Sequence, residues 1–223
     1  MNTQPHSAAQ NHFGLYLVIS QPKTSFETCA EAAVRAGVRY IQLRMKNAAR
    51  DQILARACSL RSITERSNTL LIINDDPDIA VESGADGVHL GQTDLDIKAV
   101  REKWPTIGHI GLSTHSVDQA IRAAKDFPDL IGVGPVYRTP TKAIPDPVLG
   151  CTEMGRMIRS VTVPAVAIGG INTRTLQKVL AAGAINFAVV RAVCQAATPY
   201  DAIRCLQDVW LTHIAMESIQ TPT

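Results

Sequence analysis

Residues 26–46 read FETCAEAAVRAGVRYIQLRMK, and this stretch decides the fold. Apolar positions recur at helical spacing over 26–36. Ala36-Gly37 then stops the helix, because glycine enters the left-handed conformation without a Cβ clash. A short run rich in strand formers follows over 40–45. Ser83-Gly84 and Ala182-Gly183 repeat this junction, about two and four units of roughly 24 residues further on, the size of a compact βα repeat. Working outward, short apolar runs fall at 15–20, 40–45, 70–74, 87–90, 109–113, 130–136, 165–171 and 187–193. Helical periodicity fills 51–65, 117–125 and 175–182 between them. Strands alternating with helices give right-handed βαβ units and a parallel sheet. Eight units closing on themselves predict an α/β fold, a single (β/α)8 TIM barrel. The other arrangement, an open doubly wound sheet, lacks the GxGxxG expected after its first strand.

Composition agrees with a single domain. The 223 residues are 46% hydrophobic, 19% charged and only 4% aromatic, so Ala, Val, Ile and Leu must fill the core. That palette suits parallel strands covered by helices. The expected organisation is a flexible tail over 1–12, a barrel over 13–216 and a second flexible tail over 217–223. A net charge of +2 falls short of a nucleic-acid-binding surface. No apolar run approaches the roughly 18 residues of a membrane span. The first 12 residues are polar and lack the apolar segment of a secretion signal, which predicts a cytoplasmic chain. Cys29, Cys58, Cys151, Cys194 and Cys205 are odd in number and lack CxxC spacing, so they read as reduced, mostly buried thiols. The expected partners are small molecules, with no nucleic acid and no membrane; a homo-oligomer is left open.

In such barrels chemistry sits at the C-terminal mouth. Strand alternation separates Gln42, Arg44 and Lys46 from Ile41, Leu43 and Met45, and the apolar set must face the helices. The two cations therefore point into the barrel or its mouth, where they meet either internal carboxylates or an anionic ligand. At the end of the third strand Asp76-Pro77 is a helix start, which leaves Asn74 and Asp75 at the rim. Asp94 follows the fourth strand. Singly, each carboxylate reads as a cap or turn residue. As a pair beside cations, Asp75 and Asp94 suit Mg2+ whose remaining ligands come from a phosphorylated substrate. The fifth strand leaves Ser113 as a free hydroxyl, whereas Ser116 begins a capping box with Gln119. His89 and His115 read equally as structural or functional histidines.

The sixth loop is long, runs from Tyr137 through Thr139, Pro140, Thr141 and Lys142 to Gly150, and has the form of a lid. Lys142 is placed to close over a polyphosphate. Gly169-Gly170 after the seventh strand and Val190-Arg191 after the eighth occupy the usual phosphate position of this fold. A helix opening near Asn172 or Thr173 would add its positive end. Two anion sites on one mouth imply a two-substrate transfer with diphosphate as leaving group.

Six motifs in chain order then match one family. They are Gln42-Leu43-Arg44-Met45-Lys46, Ile73-Asn74-Asp75, His89-Leu90-Gly91-Gln92 with Asp94, Gly111-Leu112-Ser113-Thr114-His115, Thr139-Pro140-Thr141-Lys142 and Ala167-Ile168-Gly169-Gly170-Ile171. The chain resembles the thiamine-phosphate synthase family over nearly its whole length. The resemblance implies that 4-amino-2-methyl-5-(diphosphooxymethyl)pyrimidine loses diphosphate and a (carboxy)thiazole phosphate captures the methylene cation. Thiamine phosphate forms, with loss of CO2 from the carboxylated acceptor. It assigns Gln42, Leu43, Arg44, Met45, Lys46, Asn74, Ser113 and Lys142 to the pyrimidine diphosphate, with Arg44, Lys46, Ser113 and Lys142 as the catalytic set. It gives Asp75 and Asp94 to Mg2+, and Thr139, Pro140, Thr141, Gly170, Val190 and Arg191 to the thiazole phosphate. Met45 stands where the family commonly has an acidic residue, and Arg191 where it frequently has Ser. The rival readings are a thiazole tautomerase, which has no need of the metal carboxylates and the Arg44, Lys46 and Lys142 cage together, and a non-catalytic barrel that binds phosphorylated ligands.

Overall fold

The computed structural model describes residues 12–141 and 146–220. Its centre is a closed barrel of eight parallel strands in chain order: β1 Leu15–Ile19, β2 Tyr40–Leu43, β3 Leu70–Asn74, β4 Gly87–Leu90, β5 His109–Thr114, β6 Leu130–Val133, β7 Ala165–Ile168 and β8 Asn186–Val189. Closure is made by β8 against β1, with Leu15 opposite Phe187 and Leu17 opposite Val189. Around it lie α1 Phe26–Arg35, α2 Arg50–Thr64, α3 Pro77–Ser83, α4 Ile97–Lys103, α5 Val117–Ala124, α6 Gly150–Arg159, α7 Leu176–Ala181, the short α8 Arg191–Cys194 and α9 Pro199–Gln220. The predicted TIM barrel is thus the observed fold. Gly37, Gly84 and Gly183 all have positive φ, as the repeated junction requires.

The two-residue period of the strands sorts the core into two parts. Leu17, Ile19, Ile41, Leu43, Leu71 and Ile73 pack outward against the helices. Tyr16, Val18, Tyr40, Ile72, Leu130, Val166 and Ala188 form a separate cluster inside the barrel. Gln42 and Arg44 share the inner parity, and this alternation carries them to the mouth.

The interior also makes room for a polar ring. A Cβ on Gly111 would lie 2.4 Å from His89 Nδ1, so the imidazole occupies the space this glycine leaves. Gly111→Ala is expected to destabilise the protein by about 1–3 kcal/mol through overpacking, read as a lower denaturation midpoint with unchanged m-value.

Several local expectations need amendment. The last helix continues to Gln220, so residues 217–220 are helical; 221–223 and 1–11 lie outside the described residues. Helix α7 opens at Leu176, not near Asn172, because Asn172–Thr175 is a tight turn in which Asn172 N–H donates to Thr175 Oγ1 at 3.0 Å. Of the five free cysteines, Cys29 and Cys194 are buried and Cys151 is half-buried, but Cys58 and Cys205 are exposed on the outer faces of helices. Among the described residues no helix is long and apolar enough to cross a membrane.

Candidate active site

A cavity of about 540 Å3 opens at the C-terminal mouth, walled by strand ends and the loops that follow them. Gln42, Arg44, Asn74 and Ser113 line it from β2, β3 and β5. Thr139, Pro140 and Thr141 line it from the loop after β6, and Gly170, Val190 and Arg191 from the turns after β7 and β8. Lys46, Asp75 and Asp94 stand outside the cavity wall. Leu43 is 1% exposed and packs between sheet and helices, and Met45 packs on the same layer, so each can offer a ligand only its backbone. Lys142 lies outside the described residues.

The side chains at the base hold one another. Gln42 Nε2 donates to the Tyr16 hydroxyl at 3.0 Å, and burial pushes that phenol well above its ordinary range. His89 Nε2 meets Ser113 Oγ at 3.0 Å, while Gln92 Nε2 donates to the Ser113 carbonyl at 2.6 Å. Ser113 is therefore oriented by neighbours on two sides. Arg44 is half-buried, and burial lowers its pKa against the opposing pull of Asp75. Among the described residues no carboxylate comes within ion-pair distance of Arg44, Arg138 or Arg191, all three of which face the cavity. Cations left in this state suit anionic ligands.

Next to Arg44, Lys46 forms an ion pair with Asp75. Asp75 has a φ of +65°, an uncommon conformation that aspartate tolerates better than most residues, and its N–H donates to the His89 carbonyl at 2.9 Å. Asp76, by contrast, caps α3: its carboxylate accepts from Ile79 N–H at 2.9 Å, with Pro77 as the first helical residue. Asp94 Oδ2 accepts from Gly91 N–H at 2.6 Å. Its carboxyl is held above the usual carboxylate range, first by partial burial and then by the neighbouring Asp75, against the pull of Gly91 N–H and Lys46. Asp75 is close enough to raise Asp94, and two such hard oxygen donors fit a hard divalent ion. Among the described residues no group of three or more His, Cys, Asp or Glu converges, so the protein side of such a site amounts to this pair.

On the opposite side, Gly169 and Gly170 have φ values of +108° and +66°. A Cβ on Gly170 would lie 2.6 Å from that of Tyr137, so the turn tucks beneath the loop after β6. Tyr137 N–H donates to the Gly169 carbonyl at 3.0 Å and fastens loop and turn together.

The structure adds Tyr16, Arg138, His115 and Asp146 to the cavity wall. Tyr16 lies within an apolar strand and reads as core; only its inward parity, shared with Gln42, marks it. Arg138 adjoins Thr139 in a loop already singled out, but its direction was not legible. Asp146 lies among loop residues and gave no signal.

The sequence model of the family described as thiamine monophosphate synthase matches residues 15–193. The chain is 38% identical over 201 residues to the thiamine-phosphate synthase of Albidiferax ferrireducens, covering 89% of this chain and 92% of that one. It is 43% identical over 185 residues to that of Gloeobacter violaceus, covering 83% of this chain but only 54% of the longer relative. Among solved structures, thiamine phosphate pyrophosphorylase from Pyrococcus furiosus superposes with a TM-score of 0.83 at 30% identity, over 92% of this chain and 98% of that one. A barrel of this topology, with motifs on six strand ends and agreement of this extent, leaves one assignment: the chain belongs to the thiamine monophosphate synthase family.

Proposed function

We propose that the mouth cavity joins 4-amino-2-methyl-5-(diphosphooxymethyl)pyrimidine to a (carboxy)thiazole phosphate, the transfer by which this chain, as a member of its family, forms thiamine phosphate in thiamine biosynthesis. Gln42, Asn74 and Ser113 hold the pyrimidine, and Arg44 and Lys46, with Lys142 in the same reading, hold the diphosphate. Leu43 and Met45 contribute through their backbone. Asp75 and Asp94 hold Mg2+, which when bound supplies positive charge to the departing diphosphate. Thr139, Pro140, Thr141, Gly170, Val190 and Arg191 hold the thiazole phosphate. A cytoplasmic location and small-molecule partners, without nucleic acid or membrane, belong to the same reading.

The observation that carries this reading is the position of the two polar sides. In a closed ring of eight strands β3 lies across from β7. Asp75, after β3, therefore stands at the rim on the side away from Gly169-Gly170, and Arg44 beside it enters the cavity that those glycines line. A phosphorylated acceptor seated on one side presents its ring nitrogen to a methylene carbon seated on the other. The C–O bond breaks as the pyrimidine amine donates electron density to the methylene carbon, its electron pair leaves with diphosphate, and the thiazole nitrogen supplies the new C–N pair. Arg44 and Lys46 stabilise the charge gathering on the leaving group. The remainder is orientation, and no protein nucleophile is needed.

Incubation of the purified protein with both substrates and Mg2+ tests the reading: thiamine phosphate and diphosphate should accumulate in equal amounts. Isomerisation of the thiazole alone would point to a tautomerase, and saturable binding without turnover to a binding barrel.

The raised Asp94 carboxyl has a thermodynamic signature. Its folded-state pKa lies above that of the unfolded chain, so the native state holds the proton more tightly. The corresponding contribution to stability is present below the unfolded pKa and is lost as pH rises through the folded one. Metal-free protein should therefore lose stability from this site on going from acid to neutral pH, and Mg2+ should restore it. Melting midpoints measured across that range, with and without Mg2+, check both signs. Asp94→Asn should remove this pH dependence and most of the Mg2+ response.

A further inference from the structure

Two residues beyond Ser113 the chain leaves β5 at His115, whose ring also lines the cavity. The capping box around α5 has an unexpected arm here. Ser116 caps the helix by accepting from Gln119 N–H at 3.2 Å, but the Gln119 side chain accepts from His115 N–H at 2.7 Å. That bond fixes the backbone from which the imidazole projects. His115 Nδ1 lies 2.6 Å from the Gly134 carbonyl, and a carbonyl only accepts, so Nδ1 carries a proton. The other ring nitrogen, Nε2, lies 3.7 Å from Asp146 Oδ2 and pairs with that carboxylate when the ring carries both protons. One rigid ring thus touches both limbs of the loop after β6: its root at Gly134 and its return at Asp146.

The rest of the loop is fastened below these points. Leu149 N–H donates to the Pro135 carbonyl at 2.9 Å and Gly150 N–H to that of Val136 at 3.1 Å, closing the two limbs at their base. Val136 N–H donates to the Ile168 carbonyl at 2.9 Å, tying the outgoing limb to β7. Above this level stand Thr139 and Thr141, whose hydroxyls lie 3.0 Å apart.

We propose that His115 is a positioning residue: by bridging Gly134 and Asp146 it sets the span of the loop and so the height at which Thr139 and Thr141 meet the acceptor phosphate. This rests on the assignment of those threonines under the proposed function. The ring acts through the loop and needs no contact with either substrate.

His115→Asn keeps a donor near Nδ1 for the Gly134 carbonyl and removes the arm toward Asp146. Asp146→Asn removes the charge from the other side of the same contact. In steady-state kinetics with each substrate varied in turn, each variant should raise KM for the thiazole phosphate about three- to fivefold, the upper range for losing one partly exposed ion pair. KM for the pyrimidine diphosphate should stay within about twofold, and kcat at saturating acceptor should be retained, as expected where only acceptor binding is lost. Because both changes cut this shared contact, the double variant should fall well short of the product of the two single effects. Equal shifts in both KM values, no shift in either, or effects that multiply in the double variant would overturn the proposal. If His115→Asn does not fold, Asp146→Asn still removes the charge that faces Nε2. Thr141→Val separates the inference from its premise. A raised acceptor KM there with none in Asp146→Asn defeats the positioning role, whereas no change in Thr141→Val defeats the assignment of the threonines.

Discussion

Asp75→Ala is expected to lower kcat by about 10²–10³-fold at saturating substrates, the usual scale for losing one preorganised electrostatic contact to a developing charge. It should also flatten the dependence on added Mg2+. The adjacent Asp76→Ala is expected to leave kcat unchanged and to cost about 1 kcal/mol of stability, because its carboxylate caps α3. The contrast is informative because the two residues are neighbours of identical chemistry whose surroundings differ. Asp75 faces Lys46 and Asp94; Asp76 faces a helix N-terminus. Alanine at 75 also has to adopt the positive φ of that position, which adds strain unrelated to charge. Asp75→Asn removes the confusion, since asparagine tolerates that conformation and keeps the shape. It forgoes only an exposed ion pair with Lys46, worth about 0–1 kcal/mol. Titration of activity against Mg2+ in Asp75→Asn and Asp76→Ala, beside denaturation midpoints for both, decides the matter. Full activity in Asp75→Asn with loss in a stable Asp76→Ala would reverse the assignment.

The same pair of residues shows why much of this molecule could be read in advance. Asp76-Pro77 declares a helix start, which leaves Asp75 without a local task, and the structure bears out that division. Strand parity was equally legible. Gln42 and Arg44 enter the cavity because Ile41 and Leu43 must meet the helices, a choice made by apolar burial alone. Lys46 shares their parity but lies past the end of β2, where the pleat no longer dictates direction, and it turns to Asp75 instead. The less legible features depend on contacts distant in sequence. The reach of Asp146 to His115 spans 31 positions, and neither residue carries a local signal for the other. Arg138 sits in irregular backbone, where no periodicity tells in from out. The turn at 172–175 displaced the start of α7 because the Thr175 hydroxyl binds backbone that a helix would have used.

Arg44→Met should separate catalysis from stability in opposite directions. The guanidinium is half-buried, burial draws its pKa below the ordinary value, and among the described residues no carboxylate lies within ion-pair distance. In the ligand-free protein this charge is therefore a cost, and arginine cannot escape it by losing its proton at neutral pH. Methionine keeps the length and apolar stem of the side chain while removing the desolvated charge. The variant is expected to melt at or slightly above the wild-type temperature, yet to lose about 10²–10³-fold in kcat/KM for the pyrimidine diphosphate. KM for the thiazole phosphate should hardly move, because that substrate sits across the barrel. Added diphosphate supplies a second readout. At about 100 times its dissociation constant it should stabilise the wild type by roughly 2.7 kcal/mol, and this increment should largely vanish in Arg44→Met. If the variant instead lost several kcal/mol of stability and kept its turnover, Arg44 would be a structural ion, and the diphosphate would have to be held elsewhere. The expected combination, a sounder fold with a failed reaction, arises only where a charge is kept unpaired in readiness for a ligand.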